Sequence, residues 1–142
     1  MHLYPDADVP VIQMSLHRKL EPRRHYELAR ELVSLRRTGV LIVGSGNIVH
    51  NLGLIDWRRR EEGFEWAEEA DETVKQLVRD DQTAQLVDYR SLGKSMGLAV
   101  PTPEHYLPLL YALGAKEDGD SITFFNDRTV LGSISMTSIR IG

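Results

Sequence analysis

Hydrophobic residues recur at helical spacing over residues 22–37. Leu28, Leu32 and Leu35 are spaced i, i+4 and i+7, and charged side chains occupy most of the positions between them. This arrangement is typical of an amphipathic helix that turns one apolar stripe toward a core. We therefore predict a helix over residues 22–37.

Two apolar segments flank this helix. Residues 8–16 alternate in part between apolar and polar side chains and are rich in β-branched residues, which favours a strand. Val40–Val43 is a short unbroken apolar run, typical of a strand that is buried on both faces. The order strand, helix, strand predicts a βαβ unit with a right-handed crossover.

The rest of the chain shows further helical and extended patterns. We expect helices over residues 64–78, 83–89 and 103–113, a loop over 91–100, and closing strands over 121–125 and 133–141. Gly114 stands where a glycine commonly ends a helix. These elements predict an α/β fold with a mixed or mostly parallel sheet flanked by helices. A length of 142 residues with 42% hydrophobic content suits a single domain.

Composition narrows the class of protein. The net charge is −4, and the cationic side chains are scattered apart from Arg58–Arg60, which argues against a nucleic-acid partner. No apolar run approaches the roughly 20 residues that span a bilayer, and no signal peptide is visible, so we expect no membrane partner. The chain has no cysteine, which excludes disulfides and Cys-ligated zinc and favours a cytoplasmic location.

A loop containing two glycines follows the run Val40–Val43. Residues 44–51 are Gly-Ser-Gly-Asn-Ile-Val-His-Asn, at the carboxyl end of a predicted strand, where α/β proteins collect their ligands. His50 could project into such a cleft, or backbone carbonyls could satisfy its ring. The loop lacks the spacing of phosphate-binding motifs and of a serine hydrolase elbow. A small-molecule-binding module that uses residues 44–47 is an alternative.

The second candidate segment begins the last predicted helix. Residues 101–106 are Pro-Thr-Pro-Glu-His-Tyr. Glu104, as an acid in a first helical turn, commonly complements the helix dipole. His105 at the mouth of an apolar helix is less usual, and metal ligation by a neutral imidazole would explain it. Two histidines do not complete a metal site, which needs three or more protein ligands. His17 and His25, among arginines and lysine, are expected on the surface.

In this order, four segments resemble the bacterial and plant DOPA 4,5-dioxygenase group of the class III extradiol (LigB-like) superfamily. The segments are residues 4–11, 44–51, 101–110 and 133–138. The resemblance runs from residue 4 to residue 142. It implies that residues 1–142 are the C-terminal part of a single extradiol dioxygenase domain. The family's first half, with Gly-His-Gly-Ser and Ser-Ala-His segments that bring two further metal histidines, has no counterpart in the chain, which implies an incomplete domain.

The resemblance also implies a function. It predicts a non-haem Fe(II) or Zn(II) centre that acts with O₂ on a catechol such as DOPA. His50 matches a histidine that ligates the metal or acts as an acid–base beside it. His105 matches a ligand position on the far side of the metal, with the adjacent Glu104 as the alternative. The competing hypothesis is a catalytically inactive fragment that acts as a binding or oligomerisation module, with a separate N-terminal half or as a homo-oligomer.

Overall fold

The computed structural model describes residues 5–142, so Tyr4 of the first resembling segment lies outside the described residues. The helices are α1 (Pro22–Glu31), α2 (Val33–Arg36), α3 (Glu65–Arg79), α4 (Thr83–Val87), α5 (Lys94–Ala99) and α6 (Leu107–Gly114). Three 3₁₀ turns cover Leu52–Leu54, Tyr89–Ser91 and Pro103–His105. The strands are β1 (Ile122–Phe125), β2 (Thr129–Val130), β3 (Ile134–Ser135) and β4 (Ser138–Ile141). Within the described range, no helix combines the length and apolar character needed to cross a membrane.

The core lies mainly among helices α3 to α6. Its largest fully buried side chains include Tyr106, Leu86, Met96 and Leu110. Helix α1 packs on α6 at Gly114, where an added Cβ would lie 2.5 Å from the Cβ of Ala29. Gly114 belongs to the last turn of α6 instead of following the helix, so its role is to let two helices approach closely.

The strands form two small antiparallel ladders. Strand β1 pairs with β4, and strand β2 pairs with β3. The predicted combination of helices with strands is confirmed, but no parallel ladder occurs among residues 5–142, so the mostly parallel sheet is not confirmed. The closing strand predicted over residues 133–141 is interrupted between β3 and β4, where the backbone N–H of Met136 donates to the carbonyl of Arg128 at 2.8 Å.

Two predicted strands are not formed. Residues 8–16 and 40–43 have no ladder partner in the described chain, and both are largely exposed. The predicted βαβ unit is therefore wrong for residues 5–142. The physical reason is that a strand needs a neighbour for its backbone polar groups, and these two segments do not pair with each other.

Two helical predictions also change. The helix over residues 22–37 is confirmed as α1 and α2, but its buried face contains Pro22, His25 and Ala29, whereas Leu28 and Leu35 are exposed. The predicted loop over residues 91–100 is wrong, because it contains helix α5. Burial of its Met96 and Ala99 offsets a cost of about 1 kcal/mol for a glycine inside a helix.

Candidate functional site

Hydrogen bonds on both sides fix the backbone that carries His50. The N–H of His50 donates to the carbonyl of Ala99 at 3.0 Å. On the other side, His50 forms an isolated antiparallel bridge with Ile134, and the N–H of Ser135 donates to the carbonyl of Val49 at 3.0 Å. The segment therefore lies between the end of α5 and strand β3, which leaves its histidine little freedom to move.

Close backbone contacts join this loop to the start of α6. His105 ends the 3₁₀ turn before α6, and its carbonyl accepts a hydrogen bond from the N–H of Asn47 at 2.9 Å. A Cβ at Gly46 would lie 2.1 Å from the carbonyl oxygen of His105, and a Cβ at Gly44 would lie 2.7 Å from that of Pro108. Glycine is therefore required at both positions if the loop and the helix are to meet.

These contacts bring the two predicted histidines together. The ring centroids of His50 and His105 are 5.0 Å apart, and their planes are inclined by 38°. His50 is 6% exposed, whereas His105 is open to solvent. Two imidazoles from distant parts of the sequence thus meet at the protein surface, one of them buried and the other accessible.

The ring of His50 lies between two backbone carbonyls. Its Nε2 is 2.8 Å from the carbonyl oxygen of Thr102, and its Nδ1 is 3.2 Å from that of Asn47. A neutral imidazole has one N–H, so it donates to one of these oxygens and keeps a lone pair on its other nitrogen. Burial lowers the pKa of His50, and the nearby His105 lowers it further, although the carbonyl of Thr102 opposes the shift. The neutral ring is the form that binds metals or accepts a proton.

Glu104 is the remaining predicted candidate. Its Oε1 accepts a hydrogen bond from the hydroxyl of Thr102 at 2.9 Å, and the side chain is exposed. The backbone N–H of Glu104 and the Thr102 hydroxyl lower the pKa of this carboxyl, and the two histidines add to the effect. Among residues 5–142, no group of three or more His, Asp or Glu side chains is arranged to hold a metal ion. The donor set present fits a part of a metal site and does not complete one.

His105 also borders a groove of about 570 Å³. Its walls are formed by residues 41–48, helix α6 and strand β4, with Arg36 and Phe125 among the lining side chains. The walls are mainly apolar, and His105 is the imidazole among them. A small aromatic molecule in this groove would therefore contact the accessible member of the histidine pair.

A buried ion pair on α3 was not predicted, and residues 135–137 connect it to the loop of His50. Asp71 and Lys75 on α3 are 3.3 Å apart, and the Oδ2 of Asp71 accepts a hydrogen bond from the hydroxyl of Thr137 at 2.9 Å. Two residues before Thr137, the carbonyl of Ser135 accepts a hydrogen bond from the side-chain amide of Asn47 at 2.7 Å. Burial raises the pKa of Asp71, and the hydroxyl of Thr137 and the charge of Lys75 oppose that shift.

The sequence contained a signal for this pair. The buried positions of α3 include Ala67, Val74 and Val78, and residues 71 and 75 fall on the same face at helical spacing. Charged residues that continue an apolar stripe indicate a buried ion pair. Among the acids of α3, Asp71 is the one whose side chain is buried.

The surface position predicted for His25 is wrong. Its side chain is fully buried, with Nδ1 3.1 Å from the hydroxyl of Tyr111 and Nε2 3.2 Å from the carbonyl of His17. Burial lowers the pKa of His25. Its partner Tyr111 lies on α6, so the arginines beside His25 in the sequence gave no sign of this tertiary contact.

Comparison with known proteins identifies the relatives of this chain. Residues 1–136 match the family described as the catalytic LigB subunit of aromatic ring-opening dioxygenase. A protein of Escherichia coli (strain K12) named 4,5-DOPA dioxygenase extradiol is 42% identical over 144 residues, which are 99% of this chain and 52% of that protein. A protein of Beta vulgaris with the same name is 34% identical over 116 residues, or 81% of this chain and 42% of its own length.

A solved structure is similar over nearly the whole chain. The crystal structure of an uncharacterized protein from Escherichia coli K12 matches with a TM-score of 0.84 and 37% sequence identity. The match covers 98% of this chain and 58% of that one. The chain thus spans about half the length of the curated relatives it matches.

Proposed function

The chain belongs to the family of the catalytic LigB subunit of aromatic ring-opening dioxygenases, and on that premise we propose that it contributes to extradiol cleavage of a catechol such as DOPA by O₂. In this proposal, residues 1–142 are the C-terminal part of one dioxygenase domain. The observation that carries it is the contact between the rings of His50 and His105, 5.0 Å apart. The names of the relatives support the substrate class.

We propose that His50 and His105 are two of the ligands of an Fe(II) or Zn(II) ion. The neutral state of His50 and the accessibility of His105 support this assignment, and Glu104 is the alternative to His105. A bound Fe(II) would lower the pKa of a catechol hydroxyl and supply redox chemistry toward O₂. Zinc would lower that pKa but has no redox chemistry. Further ligands would come from outside the described residues.

His50 also has the properties of a catalytic acid–base. When its Nε2–H donates to the carbonyl of Thr102, the lone pair of Nδ1 is left to accept a proton. Its lowered pKa keeps that nitrogen unprotonated near neutral pH. The hydrogen bond to the carbonyl of Thr102 orients the ring, so a catechol hydroxyl beside Nδ1 would meet a fixed acceptor. Ligation and proton transfer are alternative roles for the same ring.

The test combines metal binding with product formation. The chain, alone and together with the part of the Escherichia coli relative outside the 144 matched residues, is supplied with Fe(II) or Zn(II), DOPA and O₂. A yellow ring-opened product and bound metal are measured separately. We expect His50→Ala and His105→Ala each to reduce metal affinity roughly 10–100-fold or more. His17→Ala, which changes an exposed histidine elsewhere, is the matched control, and Glu104→Gln distinguishes the two neighbouring candidate ligands. Wild-type metal affinity in His50→Ala and His105→Ala would contradict the proposal.

The second candidate function is a binding or oligomerisation module without catalytic activity of its own. The unpaired extended segments before and after α1 and α2 favour it, because they offer backbone hydrogen bonds to a partner. Absence of product and of metal binding, with metal and the part of the Escherichia coli relative outside the 144 matched residues both supplied, would support this alternative. A cytoplasmic location stays a prediction.

A further inference from the structure

A buried carboxylate of α3 is linked to the loop of His50 by hydrogen bonds. The side chain of Asp71 is 4% exposed, and its Oδ2 accepts a hydrogen bond from the hydroxyl of Thr137 at 2.9 Å. Its Oδ1 is buried and accepts no hydrogen bond at normal distance from the described part of the chain. The hydroxyl of Ser135, which is fully buried, lies close enough to lower the pKa of Asp71. Asp71 therefore interacts with both ends of the segment 135–137.

Ser135 in turn holds the segment that leads to His50. Its carbonyl accepts a hydrogen bond from the side-chain amide of Asn47 at 2.7 Å, and its hydroxyl accepts one from the N–H of Val49 at 3.2 Å. Its own N–H donates to the carbonyl of Val49 at 3.0 Å. These bonds fix the backbone on the N-terminal side of His50. The backbone N–H of Asn47 also donates to the carbonyl of His105, so the same residue reaches both histidine loops.

Neutralising Lys75 does not by itself explain a buried carboxylate at this position. The Nζ of Lys75 is 2.9 Å from Glu72 and 2.6 Å from Asp127, so other carboxylates are available to it. A buried ion pair contributes, in general, no more stability than well-packed apolar side chains of the same volume. What an ionised carboxylate adds is a strong acceptor for hydroxyl donors in a fixed direction. The hydroxyls of Ser135 and Thr137 are those donors.

We propose that Asp71 is a positioning residue for the rings of His50 and His105. Its carboxylate fixes residues 135–137, and these residues fix the loop that carries His50. Side chains that orient the ligands of a metal from behind commonly raise metal affinity about 10–100-fold. The inference rests on the proposed function for the chemistry of the two rings, whereas the hydrogen bonds that hold them are present without a metal.

The test compares two acid-to-amide changes on the same helix. Asp71→Asn and Glu72→Gln each remove one carboxylate partner of Lys75. The side chain of Glu72 is 58% exposed and forms its ion pairs with Lys75 and Arg79, both on α3. Only the change at residue 71 therefore removes a carboxylate that accepts a hydrogen bond from the segment of Thr137.

Two further variants complete the design. Ser135→Ala removes the hydroxyl that accepts a hydrogen bond from Val49, and it decides the test alone if Asp71→Asn does not fold. Val78→Ala opens a small cavity at another buried position of α3 and controls for a general loss of stability. Circular dichroism verifies that each variant is folded.

The first readout is amide hydrogen exchange in the chain without metal. The N–H groups of Asn47 and His50 donate to the carbonyls of His105 and Ala99, so neither is bonded to a mutated side chain. Their exchange rates are divided by that of the amide of Leu113, inside α6, which reports the stability of the core. A role confined to the stability of α3 would change all these amides together and leave the exchange ratio unchanged.

The expected changes differ between the variants. We expect the exchange ratio to rise at least ~10-fold in Asp71→Asn and in Ser135→Ala. In Glu72→Gln and Val78→Ala, it should keep the wild-type value. The second readout is the affinity for Zn(II), measured in the same mixtures that test His50→Ala. It should fall about 10-fold or more in the first two variants and stay unchanged in the other two.

Each outcome decides the inference. A raised exchange ratio and weaker Zn(II) binding in the folded variants at residues 71 and 135, with both controls unchanged, support it. An unchanged ratio in either of these folded variants, or an equal rise in Glu72→Gln, overturns it. A raised ratio with wild-type Zn(II) affinity also overturns it, because the rings would then not depend on the loop. The proposed function fails separately: if the wild-type chain binds no Zn(II), the exchange ratio alone decides whether Asp71 holds the loop.

Discussion

Residues 47–142 and residues 9–46 differ in how far they bury their apolar side chains and pair their polar groups. In the later region, Tyr106 is fully buried and its hydroxyl donates to the carbonyl of Leu86 at 3.0 Å. In the earlier region, helix α1 docks on α6, but the segments on either side of α1 and α2 remain exposed. Both regions are comparably apolar in sequence. The difference is that the later region finds its packing partners within the described chain, whereas in the earlier region α1 does so and the segments on either side of α1 and α2 largely do not.

The largest loss of stability is expected on breaking the buried ion pair of the later region. Lys75→Met leaves the buried carboxylate of Asp71 without its cation, and we expect the free energy of unfolding to fall by about 3–5 kcal/mol. Urea denaturation at pH 7 measures it. Arg24→Met is the control, because Arg24 and Glu27 form an exposed pair that contributes no more than about 1 kcal/mol. Equal losses in the two variants would contradict the buried character of the first pair.

A second variant pair contrasts the two regions directly. Leu110→Ala removes a fully buried side chain, and we expect a loss of about 2–5 kcal/mol in the free energy of unfolding. Ile12→Ala removes a side chain that is 93% exposed, and we expect a change within about 0.5 kcal/mol. Both are measured by denaturation of the chain alone. A large loss in Ile12→Ala would show that residues 9–16 are packed in solution.

A third pair of variants tests the glycine contact between the regions. Gly46→Ala forces the loop away from the carbonyl of His105, and we expect a loss of about 1–3 kcal/mol together with weaker metal binding. Gly97→Ala places a Cβ in open space on helix α5 and should stabilise the chain by about 0.5–1 kcal/mol. In thermal denaturation, we expect Gly46→Ala to lower the stability and Gly97→Ala to raise it. A stabilised Gly46→Ala would refute the close approach.

The smallest expected effect concerns pH. Burial holds the pKa of His25 below its usual 6.5, so the unfolded chain binds a proton at higher pH than the folded chain does. Stability is therefore present above pH 6.5 and falls as the pH drops below it, by at most about 1.4 kcal/mol per pH unit for one group. Unfolding measured between pH 7.5 and 5.5 should be less pH-dependent in His25→Gln. Burial also lowers the pKa of His50, which contributes the same slope to the wild type and to His25→Gln.

Local pattern predicted most of the helices, because the apolar residues that define a helix face lie within a few positions of one another. Local pattern failed where contacts between distant parts of the chain determine the local structure. Residues 9–16 have the composition of a strand and no partner in the described chain, whereas α5 forms despite Gly97 because Met96 and Ala99 are buried. The stripe of Leu28 and Leu35 predicted a buried face, but packing on α6 selected the face of Ala29 instead.

The candidate site was predicted in part. The segments around His50 and His105 were singled out in sequence, and the structure brings the two rings together, while their metal ligation stays a prediction. One alternative was that residues 44–47 form a small-molecule-binding module. Gly44 and Gly46 instead admit the backbone of Pro108 and His105. Spacing along the chain contained no sign of this, because the contact joins loops about 60 residues apart.

The hydrogen bond from Asn47 to the carbonyl of His105 has a thermodynamic consequence. It joins the two histidine loops during folding, so their conformational entropy is lost before any ligand arrives. A ligand that meets both rings therefore binds a preorganised pair. It avoids about 0.5–1.5 kcal/mol of entropy loss for each side chain that is already held in place. This saving is largest for His50, whose buried ring is held by a backbone carbonyl, and smallest for the exposed ring of His105.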